Sequence, residues 1–102
     1  MKLGSKDRLI AAARRHADAE EPLLAWTTTT EAANWRNLKE VRDIYRHADA
    51  VKVASGRTVT IFNIGGNKYR LLTAISYPIG AVNVLALLTH AEYDKEKWKK
   101  TL

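Results

Sequence analysis

Two turn signals, Gly65-Gly66 and Tyr77-Pro78-Ile79-Gly80, cut residues 58–90 into three runs rich in β-branched and long apolar side chains. A Gly-Gly pair between two such runs signals a two-residue hairpin, because the primed turns need positive φ at their centre. Pro followed two positions later by Gly suits a three-residue hairpin, with Pro opening a type I turn and Gly taking the left-handed position. Residues 58–64, 67–76 and 81–90 are therefore expected to form a three-stranded antiparallel meander.

The first half reads as helical. Ser5 is placed to cap a helix running to about His16, with Leu9, Ala12 and Ala13 on one stripe. Pro22 suits the first turn of a second helix that carries Leu23, Trp26 and Ala33 inward, although Thr27-Thr28-Thr29-Thr30 is a poor helix former. Asn37-Leu38-Lys39-Glu40 has capping-box spacing and starts a third helix, which ends near Arg46 and buries Leu38, Val41 and Tyr45. Short strands at residues 2–3 and 51–54 are expected to join the sheet. The expectation is a single α+β domain over residues 1–102, with N-terminal helices packed on a mainly antiparallel sheet that ends in the C-terminal three-stranded meander.

The turns imply a register. If Ile64 faces Asn67, then Asn63 faces Lys68 and Ile61 faces Arg70. If Tyr77 faces Ala81, then Lys68 faces His90 and Arg70 faces Leu88. Alternation then puts Val59, Ile61, Asn63, Lys68, Arg70, Leu72, Val84, Leu88 and His90 on one face. That face is apolar in its middle and gathers Asn63, Lys68, Arg70 and His90 at one end. A slip of one residue in either hairpin would scatter them.

Charge narrows the chemistry. The formal net charge is +6, and between Asp49 and Glu92 no acidic residue occurs while Lys52, Arg57, Lys68 and Arg70 do. Such a region attracts a polyanion. The missing acids disfavour a two-metal nuclease or a glycosidase, which need carboxylates in the site. Cysteine is absent, so disulfides and thiolate metal sites are excluded, and neither a metal nor an organic cofactor is expected. With no apolar signal core at the N-terminus and no run long enough for a bilayer, a cytoplasmic protein without a membrane partner is expected.

Two cations and an imidazole at the edge of a basic sheet suit a phosphodiester. Metal-free RNA cleavage needs a base for the 2′-hydroxyl, an acid for the leaving 5′-oxygen and cationic donors for the charge on phosphorus oxygens. Arg70 suits the last role because its planar fork holds two phosphate oxygens. His90 fits base or acid, and Tyr93 a second proton-transfer group or a stacking surface. Lys68 fits a phosphate clamp or, with a lowered pKa, the base. Asn63, Asn67, Lys52 and Arg57 complete the candidate RNA-binding set. The duller alternatives are solvated strand cations, a surface histidine, and Trp26, Trp35 and Trp98 as packing anchors.

The run Phe62-Asn63-Ile64-Gly65-Gly66-Asn67-Lys68-Tyr69-Arg70-Leu71, followed by Leu88-Thr89-His90-Ala91-Glu92-Tyr93-Asp94-Lys95, closely resembles the HigB toxins of type II toxin–antitoxin systems. Asp18-Ala19-Glu20 with Pro22-Leu23, then Trp26, Trp35 and Ala48-Asp49, agree. The resemblance implies a RelE-like fold and endoribonuclease activity on mRNA during translation on the ribosome. It also implies neutralisation by a HigA-like helix-turn-helix antitoxin, and it puts the working positions among Asn67, Lys68, Arg70, His90 and Tyr93. The alternative function is a non-catalytic RNA-binding or regulatory domain of the same fold.

Overall fold

In the computed structural model, which describes residues 1–102, the chain runs β1 (Lys2–Gly4), α1 (Lys6–Arg15), a 3₁₀ turn (Ala17–Ala19), α2 (Glu20–Ala32), α3 (Leu38–Ile44), β2 (Asp49–Lys52), β3 (Thr58–Ile64), β4 (Tyr69–Ser76), β5 (Ala81–Thr89), α4 (His90–Asp94) and α5 (Trp98–Thr101). The five strands form one sheet in the order β1-β5-β4-β3-β2. Only the β1–β5 pair is parallel. The fold is α+β, as the patterns imply.

α2 passes through the four threonines. Thr27 and Thr28 donate their hydroxyls back to the Leu23 and Leu24 carbonyls at 2.8 and 3.1 Å, which satisfies them inside the helix. Burial of Leu23, Trp26 and Thr30 outweighs the poor propensity of the run. Asn37 does cap α3, its side chain accepting from Glu40 N at 3.0 Å. The Glu40 carboxylate returns to Arg36 N at 2.7 Å rather than to Asn37, and α3 stops at Ile44 instead of Arg46. Ser5 is not a side-chain cap. It sits in the left-handed region at φ 61°, and its hydroxyl donates to Asn83 Oδ1 at 2.9 Å.

Both hairpin turns differ from the expected ones, yet the faces survive almost intact. Residues 65–68 form a four-residue turn with Gly65 and Gly66 both at left-handed φ, so Ile64 pairs with Tyr69 rather than Asn67. Asn63 therefore faces Arg70 and Ile61 faces Leu72, a slip of two that keeps every side chain on its expected side. At the second turn Ser76, not Tyr77, pairs with Ala81, an error of one. A bulge at Leu85 cancels it: Leu72 pairs with Ala86 while Thr73 pairs with Val84, and beyond the bulge Arg70 faces Leu88 as expected. Arg8 of α1 donates to the Val84 and Leu85 carbonyls at the bulge, at 3.0 and 3.4 Å. Val84 consequently turns to the opposite face from the one expected, and Leu85 takes its place. β2 begins at Asp49, ahead of the expected 51–54, and β5 ends at Thr89, so His90 opens a helix instead of closing a strand.

Each face of the sheet covers its own core. On one side Leu9, Leu23, Trp26, Trp35 and Val41 of the helical half pack on Phe62, Ile64, Leu71, Val82 and Val84. On the other, Trp98 packs on Val53, Val59, Ile61, Leu72 and Leu85. The three tryptophans are buried packing anchors, as expected. The C-terminal segment is held down by backbone as well, Ala54 N to Lys99 O at 2.9 Å and Ser55 Oγ to Leu102 O at 3.0 Å. What stays uncovered on that face is one end, where β3, β4 and β5 meet the 65–68 turn and α4. No helix is long and apolar enough to cross a membrane.

Candidate RNA-cleavage site

The uncovered end is organised around Arg70. Register places it directly between Asn63 on β3 and Leu88 on β5. One fork nitrogen, Nη2, donates to Asn67 Oδ1 at 2.7 Å, and Nη1 donates to the Asn67 and Tyr69 carbonyls at 3.2 Å each. Its guanidinium carbon lies 5.5 Å from the centroid of the Tyr93 ring. Those partners are neutral, so no carboxylate offsets the charge, and the partly exposed guanidinium can take an anion.

Tyr93 is fixed from behind. Its ring stacks on Trp98 at 5.2 Å with 15° between planes, and Trp98 Nε1 donates to the Tyr93 carbonyl at 3.0 Å. Partial burial pushes the Tyr93 phenol above its ordinary value of 10, and Asp49 adds to this against Arg70 and Lys99. The phenol is thus a proton donor at neutral pH, and it is poorly suited to act as a base.

His90 opens α4, where Thr89 and Glu92 form a capping box that holds the start of the helix. Its backbone N–H donates to the Lys68 carbonyl at 3.0 Å, which ties the 65–68 turn to α4. Its Nδ1 lies 2.8 Å from Asp94 Oδ2. That contact fixes the ring and leaves Nε2 as the free nitrogen.

Lys68 departs from the expected cluster. Its backbone stands beside His90 as register required, but the residue belongs to the turn, and its ammonium pairs with Asp18 in the 3₁₀ turn on the helical side. Asp18 also accepts from the Tyr69 hydroxyl, and the His16 ring lies 5.0 Å from that of Tyr69. The hydrogen bond from Lys68, then that from Tyr69, holds the Asp18 carboxyl below 3.8, and the same bond to Asp18 holds the Lys68 ammonium above 10.5. A general base needs the opposite shift. Lys68 therefore fits a phosphate clamp only.

Lys52 and Arg57 are not brought to the site. Lys52 pairs with Thr58 at the far end of β3, five positions from Asn63 and so roughly 17 Å away at about 3.3 Å per residue. Asp18, Asp94 and Trp98 were missed as partners of the site. Asp94 lies at helical i+4 spacing from His90, a legible signal once a helix there is recognised. Asp18 is 50 residues from Lys68, and nothing in local pattern links them. No group of three or more His, Asp or Glu side chains gathers in a way that could hold a metal ion.

Residues 19–96 match the family model HigB_toxin, a RelE-like toxic component of a toxin–antitoxin system. Asn63, Asn67, Lys68, Arg70, His90 and Tyr93 all fall within the match, whereas Asp18 and Trp98 fall just outside it. Among the curated proteins no match is found.

Proposed function

The chain belongs to the HigB toxin family, the RelE-like toxic component of a toxin–antitoxin system with an antitoxin as partner, and from that premise we propose that it is a metal-independent endoribonuclease that cleaves mRNA on translating ribosomes. Its antitoxin is of the HigA-like helix-turn-helix kind, and it acts in the cytoplasm. The observation that carries this is Arg70: a guanidinium held by Asn67, the Tyr69 carbonyl and the Tyr93 ring at one end of the central strand, and free of any carboxylate.

The scissile phosphate sits against Arg70, which neutralises the charge that grows on its oxygens. His90 Nε2 removes the 2′-hydroxyl proton while Asp94 steadies Nδ1. The O2′–P bond forms and the P–O5′ bond breaks, leaving a 2′,3′-cyclic phosphate on one fragment. Tyr93, kept protonated by burial, gives its proton to the departing 5′-oxygen and regains one from solvent. Asn67 orients Arg70, and Lys68 holds a neighbouring phosphate.

The test is a map of new mRNA 5′ ends after brief induction of wild type, Arg70→Ala and His90→Ala. Cuts inside translated frames that vanish in both variants support the reading. Cuts that persist in a folded Arg70→Ala protein would remove Arg70 from the mechanism. No cuts from wild type, with RNA still bound, would leave the non-catalytic binding domain.

A further inference from the structure

Asn63 is an odd residue for its place. β3 reads Thr-Val-Thr-Ile-Phe-Asn-Ile, and asparagine is depleted in strands, where its short amide competes with the backbone. Asn37, Asn67 and Asn83 each have a use for the amide, on Glu40 N–H, on Arg70 and on the Ser5 hydroxyl. The Asn63 amide is half-buried and has no such partner. Its polar atoms keep contact with solvent, so the amide is free to meet a ligand.

Asn63 lines a cleft of about 270 Å³, whose remaining wall is Ile44, Tyr45, Arg46, His47 and Ala48. Register explains the meeting. Asp49 faces Ile61, and Asn63 lies two residues further along β3, level with the Tyr45–Ala48 turn that leads into β2. The Tyr45 ring is pinned edge-on by Phe62 at 5.2 Å and Trp35 at 6.1 Å, while Ile44 is 52% exposed and gives an apolar surface. Arg46 and His47 are exposed at the rim and enter no ion pair, in contrast to Arg42 nearby, which is tied to Asp49 at 3.4 Å. The cleft falls just below the roughly 300–1,000 Å³ of drug-sized pockets, which is the scale of a single planar base.

We propose that this cleft is a nucleobase subsite: it receives the base next to the phosphate held by Arg70, and Asn63 reads its edge. The inference rests on the ribonuclease reading above. Asn63 and Arg70 are direct cross-strand partners, with Cα atoms about 4.5–5.5 Å apart, so a strand anchored on Arg70 has its neighbouring nucleotide at the cleft mouth. The amide offers a donor and an acceptor side by side, the pattern that pairs with a base edge on unstacked RNA. Ile44 supplies a face for the ring, and Arg46 supplies charge for its phosphate. Base preference at one fixed position beside the cut is the consequence.

The experiment has two arms on the full chain. In the first, cut sites in RNA are compared for wild type, Asn63→Ala and Arg46→Ala. Wild type should prefer one base at one position beside the cut, and Asn63→Ala should flatten that preference by roughly 5- to 150-fold, the worth of one bidentate base contact. Arg46→Ala, an exposed change that cannot empty a core, should weaken RNA binding while keeping the preference. An unaltered preference in a folded Asn63→Ala protein overturns the proposal. In the second arm, AMP, GMP, CMP and UMP are titrated separately while the amide signals are followed by NMR. Shifts centred on residues 44–48 and 63, unequal among the four and lost in Asn63→Ala, support the subsite whether or not RNA is cut. Equal or absent shifts overturn it even if cleavage is proven.

Discussion

Lys68 and Arg70 stand two residues apart where β4 begins, and each is bound by partners of its own. Arg70 leans on an amide, two carbonyls and an aromatic ring. Lys68 reaches the other way, across to the helical side, and meets the Asp18 carboxylate. The first arrangement positions a cation without neutralising it, whereas the second neutralises one and uses it to dock the 65–68 turn on the 3₁₀ turn. An anion arriving at this end finds one charge ready and another that must first be released. The contrast separates a group suited to transition-state charge from one suited to holding the turn and clamping a phosphate at the side.

The largest effect should come from exchanging the ready cation for the other kind. Arg70→Lys keeps the charge but loses the fork, its double hold on Asn67 and its plane against Tyr93. Single-turnover cleavage should fall by roughly 10²- to 10³-fold, the usual cost of one misplaced donor to developing charge. Lys68→Ala should lose only about two- to fivefold, in RNA affinity, the scale of one exposed ion pair. Comparable losses from the two changes would erase the distinction.

A smaller effect should follow from releasing Lys68. Asp18→Asn removes the carboxylate that competes with phosphate for the ammonium. In a cleavage-silent His90→Ala background, RNA affinity should rise a few-fold. The salt dependence should steepen by about 0.7 in log–log slope, the increment for one further phosphate neutralised on a single strand. A slope identical to that of the parent would take Lys68 off the RNA path and leave it a structural residue.

How much of this was legible in the sequence depends on the range of the interaction. The turn glycines, the Asn37 cap and the alternation along β3 to β5 are local, and pattern alone puts Asn63, Arg70 and Leu88 on one face. The face survived two wrong turn lengths for different reasons. A slip of two preserves parity, and the Leu85 bulge undid a slip of one. That bulge carries no turn residue, and Arg8 on a distant helix engages its carbonyls, so it left no local trace and cost the placement of Val84. The apolar run Ala81–Leu88 extends the strand expectation over Thr89-His90, whereas the Thr89–Glu92 capping box, the local signal for α4, ends the strand at Thr89. The Asp18–Lys68 pair joins two turns across 50 residues and depends on how the helices lie over the sheet, which no periodicity encodes.

The smallest effect is on stability, and its pH dependence isolates the Asp18 partnership. The folded carboxyl is held below 3.8, mainly by the hydrogen bond from Lys68, and that bond favours the native state only while the acid is ionised. A lowered folded value gives stabilisation that is complete above the ordinary 3.8 and disappears as pH falls through the lowered value. Lys68, held above 10.5, works in the other direction: its share is complete below 10.5 and is lost as pH rises through the raised value. Wild type should therefore exceed Asp18→Asn in denaturation midpoint at neutral pH by a small margin that closes in acid. Glu92 also sits below its ordinary 4.5, chiefly through its bond from Thr89 N–H, but it is common to both proteins and cancels in the difference. Denaturant titrations of the two proteins at pH 7 and in strong acid decide the matter. If the gap stays open in acid, the Asp18→Asn change acts through altered packing of the 3₁₀ turn rather than through lost charge, and Lys68 would have to be regarded as nearly as free as Arg70.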